Sequence, residues 1–297
     1  MTATVRIGTR GSQLALWQAN EAARLLGRPF EIVTIRTTGD KRTDVSLASV
    51  GGKGVFIKEL EEALVRGEID LAVHSLKDVP SIVPPRFALA AFLERADPRD
   101  AWVQIDGIPI DRMRDGAKIG TSAPRRRAQL RARYPKLRIE DIRGNVDTRI
   151  HKLRSGLYDA AILASAGLTR LGRANEITSY FSIDDMIPAA GQGIVVIETL
   201  AERAGDFGDV NHAASALAAR SERGVLEKFG DLLDCYSAVA VHATIDRDIT
   251  IRAFFGEIDG DRTIRVQQSG SEPAKLVESV YKALVAAGAE DLVHCRK

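Results

Sequence analysis

The sequence predicts an α/β protein that ends in a small α+β domain, and three observations lead to this expectation. Short apolar strands alternate with amphipathic helices over residues 1–200. Two segments that carry proline, glycine or charge, ERADPRDAW and IPAAGQGIVVIE, separate blocks of this pattern. After residue 211 the alternation becomes that of antiparallel strands. Strand–helix–strand units favour a largely parallel sheet with ligand sites at the strand ends.

The first block begins with the strand VRIGT and a helix over Ser12–Leu26, which Gly27 and Pro29 end. The apolar face expected for this helix consists of Leu14, Trp17, Ala22 and Leu25. The next predicted elements are a half-buried strand, an amphipathic helix and a short buried strand, over Phe30–Thr37, Phe56–Gly67 and Asp70–Ser75.

The second block repeats this order, and a region of different texture follows it. The predicted elements of the second block are a strand over Ala117–Ser122, a helix from Pro124, a strand over Leu137–Arg143, a helix over Asp147–Arg154 and a strand over Asp159–Ala164. After a helix that starts near Asn211, the strands VAVHATI, DITIRAFFGE and TIRVQQS precede a final helix over Glu272–Ala287. The two crossings and the change of texture divide the chain into residues 1–97 with 194–211, residues 98–193, and residues 212–297, and a chain of this length is expected to form two or three domains.

Composition and charge argue against several classes of protein. The 297 residues are 45% hydrophobic and 28% charged, which is ordinary for a globular protein and argues against long disorder. The net charge is +2, from 42 basic and 40 acidic side chains, whereas a protein that coats nucleic acid usually carries a larger surplus. Because no apolar run fits a signal peptide or a membrane span, we expect a cytoplasmic protein with no membrane partner.

Several catalytic classes lack their usual motifs. Cys235 and Cys295 lie far apart and have no Cys-x-x-Cys or Cys/His spacing, so no zinc site is expected. Two such thiols in a cytoplasmic chain are usually reduced, a disulfide being the alternative. The sequence has no GxSxG, no HExxH and no dinucleotide-binding GxGxxG after a strand. Serine-hydrolase, zinc-hydrolase and redox functions are therefore not indicated.

The segment GTSAPRRRAQL is the most informative local feature. Pro124 suits the first turn of a helix that Thr121 or Ser122 can cap. The arginines at 125–127 then fall in that first turn, where cations oppose the helix dipole. Free backbone amides and guanidinium groups both bind carboxylate or phosphate, so the segment predicts an anion site. The alternative is a solvated basic face of the helix.

A second set of basic residues follows other predicted strands. Arg10 comes after the first strand, and Arg143 and Gly144 come after another, with Arg149 one turn into the next helix. Glycine at such a turn lets a ligand approach the backbone. Arginines at strand ends on both sides of the first crossing predict a cleft lined from two domains.

Two further segments carry residues of interest. GGKGVFIKEL places Lys53 in a glycine-rich turn that lacks Walker spacing. HSLKDVP places His74, Lys77 and Asp78 at the end of a buried strand. Asp78 is either part of a plain turn or a cleft carboxylate that moves protons or stabilises a cationic intermediate. His74 is expected to pack beside the strand rather than to catalyse.

These stretches together resemble one family, hydroxymethylbilane synthase, also called porphobilinogen deaminase. The resemblance covers nearly the first two hundred residues, and its motifs occur in the order of the family. The matching stretches are IGTRGSQLALWQA, VGGKGVFIKELEEALVRGEIDLAVHSLKDVP, ERADPRDA, IGTSAPRRRAQL, IRGNVDTRIHKL, DAAILASAGLTRLG and IPAAGQGIVVIE.

The resemblance implies a fold, a reaction and a cofactor. The fold would be two periplasmic-binding-protein-like α/β domains with a cleft between them, plus a small α+β domain that carries a cysteine. The reaction would deaminate four porphobilinogen units and join them head to tail into hydroxymethylbilane, with release of ammonia. A dipyrromethane made from substrate, and bound to the cysteine through a thioether, would prime the chain. The family suggests a monomer whose only partner is the small-molecule substrate.

The resemblance also implies roles for residues of this sequence. Asp78 would be the catalytic carboxylate, because loss of ammonia leaves a cationic azafulvene that a nearby carboxylate stabilises. The acetate and propionate groups of the pyrroles would require many cationic and hydroxyl groups. The residues expected to bind the cofactor are Cys235, Lys77, Ser122, Arg125, Arg126, Arg143, Gly144 and Gln192, of which Gln192 serves either the hinge or the cofactor. Those expected to bind substrate are Arg10, Ser12, Lys53, Thr121, Arg149 and Arg170.

The segment around Cys235 departs from the family pattern. Leu233 and Asp234 stand where the family usually has two glycines, and Ala238 stands in place of a proline. The spacing from Arg223 to the cysteine is about two residues longer than usual. These departures keep open an alternative function, a two-lobed anion-binding protein without catalysis. Nucleic-acid binding through the arginine-rich helix is a third hypothesis, which the near-neutral charge and the lack of interleaved aromatic residues disfavour.

Overall fold

The computed structural model describes residues 4–37, 57–233, 236–258 and 261–294. The chain forms two compact units, Met1–Ala96 with Gly193–Arg220, and Asp97–Gln192 with Ser221–Lys297. The two five-stranded sheets are mixed and helices connect their parallel strands, so the predicted α/β class is confirmed. None of the described helices is both long and apolar enough to cross a membrane.

The first unit contains a sheet of five strands. Their order is β2-β1-β3-β10-β4, in which β1 is parallel to both of its neighbours and β10 is antiparallel to both of its own. The strands are β1 (Val5–Thr9), β2 (Phe30–Thr34), β3 (Leu71–Ser75), β4 (Phe87–Phe92) and β10 (Val195–Leu200). The helices α1 (Gln13–Leu26) and α2 (Lys58–Val65) connect the parallel strands. The sequence pattern predicted β1 to β3 with ends that differ by a few residues, and it missed β4.

The buried face of α1 differs from the predicted one. Trp17 and Leu25 are 38% and 41% exposed, and of the four residues expected on the apolar face only Ala22 belongs to the buried set. The residues of α1 that are buried are Ala15, Gln18, Ala19, Ala22 and Ala23. Alanines let the helix approach the sheet closely, because helix packing distance depends on side-chain size. A pattern that weights large apolar residues therefore chose the wrong face.

The second unit contains a five-stranded sheet with the same arrangement. Its order is β7-β6-β8-β5-β9, with β6 parallel to both neighbours and β5 antiparallel to both of its own. The strands are β5 (Asp100–Val103), β6 (Lys118–Gly120), β7 (Arg138–Glu140), β8 (Ala160–Ala164) and β9 (Ser179–Tyr180). The helices are α3 (Pro124–Arg133), α4 (Val146–Arg154) and α5 (Ser165–Arg170). In each unit the strand that follows a crossing of the chain is the antiparallel one.

A separate antiparallel sheet of three strands completes the chain. Its strands pair in the order β11-β12-β13. They are β11 (Ala238–Ile245), β12 (Ile249–Gly256) and β13 (Thr263–Gly270), and the helices of this region are α6 (Ala213–Phe229), α7 (Pro273–Ala286) and α8 (Ala289–His294). Ala128 and Ile187 share an apolar cluster with Ala238 and Phe254, and the three strands belong to the second unit, whereas α6 begins in the first unit and continues from Ser221 in the second. The assignment of residues 212–297 to a third domain stays a prediction.

Candidate functional site

In the first unit, four of the residues singled out in the sequence lie at one edge of the sheet. Arg10 follows β1, and Ser12 caps α1 by accepting a hydrogen bond from the backbone N–H of Ala15 at 3.2 Å. Lys77 and Asp78 belong to a single 3-10 turn directly after β3, and both are exposed. Because β1 and β3 are parallel neighbours, their carboxyl ends place these side chains along the same edge.

The second unit has a similar edge, built from the ends of β6 and β7. Thr121 and Ser122 follow β6, and Arg143 and Gly144 come shortly after β7. The hydroxyl of Ser122 donates to the carbonyl of Ile142 at 2.8 Å, which ties the two strand ends together. These residues therefore lie together at the carboxyl ends of two parallel strands, as the sequence predicts for a ligand site.

Gly144 is required by the geometry of its turn. Its φ is 101°, and a Cβ at this position would lie 2.6 Å from Cγ2 of Thr148. The carbonyl of Gly144 accepts a hydrogen bond from Nε of Arg149 at 2.8 Å, and Asn145 caps α4 through the N–H of Thr148 at 2.9 Å. The turn thus fixes the Arg149 side chain beside the strand end. Arg170 is the last residue of α5, one short helix beyond β8.

Arg125 and Arg126 are buried rather than exposed at this edge, each being 5% exposed. Arg125 donates to Oδ2 of Asp100 at 2.6 Å and to the carbonyl of Ile187 at 3.1 Å. Arg126 donates to Oδ1 of Asp100 at 2.7 Å and to the carbonyl of Ile162 at 2.9 Å. Both guanidinium groups therefore bind a carboxylate of the protein itself, a contact that the sequence analysis did not anticipate.

Gln192 belongs to the same buried cluster. Its amide nitrogen donates to Oδ1 of Asp100 at 2.8 Å and to the carbonyl of Pro98 at 2.7 Å, and its oxygen accepts from Arg125 at 3.0 Å. Pro98 and Asp100 lie on the segment where the chain first enters the second unit, and Gln192 lies just before it leaves. Of the two roles predicted for Gln192, these contacts favour the structural one at the crossing.

The charges of this cluster do not balance. Two guanidinium groups and one carboxylate leave a surplus of one positive charge in a buried place. Burial raises the pKa of Asp100, but the charges of Arg125 and Arg126 and their hydrogen bonds outweigh it, so the pKa lies well below its ordinary value. Burial also lowers the pKa of Arg126, against the attraction of Asp100. Asp100 was missed in the sequence, although the ERADPRDA motif contains it.

The remaining predicted residues divide into two groups. His74 is buried inside the first sheet, where its Nε2 lies 3.0 Å from Oε2 of Glu198, in agreement with a packing role. Lys53 and Cys235 lie outside the described residues, as does Cys295. Within residues 4–37, 57–233, 236–258 and 261–294, no group of three or more His, Cys, Asp or Glu side chains could hold a metal ion.

The fold and the two edges define an α/β protein with cationic and hydroxyl groups at the carboxyl ends of parallel strands, a class suited to anionic ligands. Residues 5–205 match the family model described as "Porphobilinogen deaminase, dipyromethane cofactor binding domain". Proteins named porphobilinogen deaminase are similar over nearly the whole chain. That of Trichlorobacter lovleyi is 45% identical, covering 97% of this chain and 95% of that protein. The one from Acidithiobacillus ferrooxidans is 41% identical, with 99% and 98% covered.

The chain therefore belongs to the porphobilinogen deaminase family, and the resemblance noted in the sequence is confirmed. Among solved structures, similarity is looser. The VFT2 domain of Bordetella pertussis BvgS aligns over 70% of this chain and 85% of that one, with 17% identity and a TM-score of 0.40. The methionine-binding protein MetQ aligns over 70% and 86%, with 13% identity and a TM-score of 0.43.

Proposed function

We propose that this chain is a transferase that deaminates porphobilinogen and joins four units head to tail into hydroxymethylbilane, with release of ammonia. The observation that carries the proposal is the position of Asp78. In a chain of this family, its exposed carboxylate lies in one turn with Lys77, at the strand edge that also holds Arg10. An acid beside cations at a parallel strand end suits the binding and deamination of an anionic amine.

The chemistry of the donor groups fits a dipyrromethane cofactor. Each of its pyrroles carries an acetate and a propionate, which are recognised by cations and hydroxyl groups. Lys77, Ser122, Arg143 and Gly144 are the residues we expect to hold it, with Cys235 as its covalent attachment. When bound, the cofactor supplies the free pyrrole carbon to which the first substrate unit is joined.

Arg125 and Arg126 enter this proposal differently from the others. Their side chains are buried against Asp100, so we assign them a place beneath the surface residues of the site. From there their surplus positive charge attracts carboxylates. Direct contact with the cofactor stays a prediction for both. Arg149, Arg170, Arg10, Ser12, Thr121 and Lys53 remain the residues proposed for substrate.

The proposed reaction assigns Asp78 an electrostatic and a proton-transfer role. In each cycle the bond between the methylene carbon and the amino nitrogen of porphobilinogen breaks, and ammonia leaves. A carbon–carbon bond then forms to a pyrrole ring carbon, which loses its proton. The positive charge that develops on the substrate pyrrole is stabilised by the Asp78 carboxylate, which can also accept that proton. Water finally releases the product as the hydroxymethyl compound.

Intact-mass measurement tests the proposal against the non-catalytic alternative. The wild-type protein should carry the mass of a covalent dipyrrole, either as purified or after its apo-form is incubated with porphobilinogen. Cys235→Ala should stay unmodified, whereas Cys295→Ala should be modified like the wild type. A wild-type protein that binds porphobilinogen yet never gains the adduct would support the anion-binding alternative instead. A monomeric state and a cytoplasmic location are part of the proposal, and light scattering and cell fractionation test them.

A further inference from the structure

Glu222 is a buried carboxylate to which no sequence motif assigns a role. It lies in α6 and is 0% exposed. Its Oε2 accepts a hydrogen bond from the backbone N–H of Gly191 at 2.6 Å, and its Oε1 accepts one from the backbone N–H of Ala243 at 2.7 Å. One side chain thus joins three segments that are far apart in the sequence.

The two backbone groups that Glu222 binds belong to segments of particular interest. Gly191 has a φ of 73° and precedes Gln192, whose side chain bonds to Asp100 at 2.8 Å. Ala243 lies in β11, the strand that begins at Ala238, three residues after Cys235 in the sequence. Glu222 therefore fixes the strand that follows the cysteine to the turn that carries Gln192.

The chemistry of this contact requires a carboxylate. Each oxygen of Glu222 accepts from a different N–H group, and a carboxylate is the side chain with two equivalent acceptors. Glutamine has one acceptor oxygen, and its NH₂ group would face one of the two N–H donors. Nδ1 of His242 lies 3.4 Å from Oε1, so this side of the carboxylate also faces an imidazole. A change of Glu222 to Gln therefore loses one of the two backbone bonds.

We propose that Glu222 is a positioning residue for cofactor loading: by holding β11 against the turn at Gly191, it sets where the cysteine-bearing segment ends. This inference rests on the proposed function, because it concerns attachment of the dipyrromethane. It predicts that substitution of Glu222 slows cofactor loading by more than the accompanying loss of stability would explain. The competing explanation is that the two hydrogen bonds of Glu222 only stabilise the second unit.

The test measures the rate of adduct formation by intact mass after apo-protein is mixed with porphobilinogen. Glu222→Gln should load at least about tenfold more slowly than wild type, because a buried donor loses its partner. Two control variants lie in the same helix. Glu227→Gln makes the same chemical change at an exposed position, and Val225→Ala removes buried apolar atoms without touching either bond. Glu227→Gln should load within about twofold of wild type.

Thermal unfolding of each variant separates positioning from stability. Val225→Ala should lose stability yet load within about twofold of wild type. If Glu222→Gln loads no more slowly than Val225→Ala, the inference is wrong while the proposed function stands. If the wild type never gains a dipyrrole, the proposed function fails and the inference fails with it. Should Glu222→Gln not fold, Glu222→Asp replaces it, since one methylene less cannot span both N–H groups, and the same slowed loading is expected.

Discussion

Asp100 divides its carboxylate between two arginines, accepting from Arg125 at Oδ2 over 2.6 Å and from Arg126 at Oδ1 over 2.7 Å. All three side chains are buried. Removing the carboxylate would leave two buried cations facing each other, which is far more costly than losing an exposed ion pair. The stability of the second unit therefore depends on this one acid.

Asp100→Ala should lower the free energy of unfolding by about 3–5 kcal/mol, the range found when one partner of a buried pair is removed. Urea unfolding measures the change. Asp115→Ala is the matched control, because Asp115 pairs with Lys136 at 3.0 Å on the surface, and both side chains are more than 70% exposed. We expect the control to change stability by less than about 1 kcal/mol. Equal effects of the two substitutions would contradict a structural role for Asp100.

Asp70 gives the first unit a pH-dependent stability. It accepts hydrogen bonds from Arg6 and Arg203, at 3.0 and 2.9 Å. Burial raises its pKa, but these bonds and charges lower it from 3.8 to about 2. Because the folded pKa lies below the unfolded one, the stabilisation is complete above pH 3.8 and is lost as the pH falls through 2.

Asp70→Asn should therefore cost about 2 kcal/mol at pH 7, the linkage equivalent of this shift. The stability difference between wild type and variant should shrink as the pH falls below 4 and nearly vanish around 2. Urea unfolding at a series of pH values measures it. A difference that is the same at pH 2 and pH 7 would show that the ionised carboxylate is not the cause.

Asp78→Asn should abolish most turnover without changing the fold. The side chain is exposed, so stability should change by less than about 0.5 kcal/mol. Loss of a general acid–base group lowers rates by about 10²–10⁴-fold, and steady-state production of hydroxymethylbilane measures this. Glu68→Gln, at an exposed position of the same unit, should leave the rate unchanged. A near-normal rate for Asp78→Asn would remove this residue from the catalytic role.

Gly144→Ala should weaken binding of porphobilinogen and also destabilise the protein. The new Cβ would meet Thr148 at 2.6 Å in a turn with φ of 101°, which strains the turn that holds Arg149. Gly156→Ala is the control, because its φ is 73° but no atom lies within 4 Å of the place that a Cβ would occupy. Both variants should lose about 1 kcal/mol or more through backbone strain. Only Gly144→Ala should raise KM, and an unchanged KM would argue against a binding role for this turn.

Much of the order of strands and helices could be read from the sequence, although β4, β5, β9 and α5 were missed. The pattern is local, and it located the carboxyl ends of β6 and β7 to within three residues: Thr121, Ser122 and Arg143 were expected at the ends of the predicted strands, and in the structure they follow shorter strands, as Gly144 does. The partners of Arg125 could not be predicted in the same way. Asp100 lies 25 residues away and Gln192 lies 67 away, and no periodic pattern records such contacts.

The face of α1 shows a different limit of prediction. Leu25 and Trp17 are large and apolar, yet the helix buries a row of alanines instead. Which face packs is decided by how closely the helix can approach β1 and β3, and this depends on both partners. A hydrophobic pattern describes only the helix and not the strands on which it packs. The observed ends of β2 and α2 differ from the predicted ones for a similar reason, because strand ends and the last turns of helices depend on neighbouring elements.

The antiparallel strand β10, which lies between β3 and β4 in the first sheet, has a consequence for synthesis of the chain on the ribosome. β4 is an edge strand that pairs with β10, and β10 ends at Leu200. Residues 87–92 must therefore wait for more than a hundred further residues to be translated before their backbone groups find a partner. The sheet of the second unit lies wholly between these strands in the sequence and can form first. We expect the nascent chain to expose one edge of β3 and the unpaired strand β4 during this interval, when it is most vulnerable to aggregation and most dependent on chaperones.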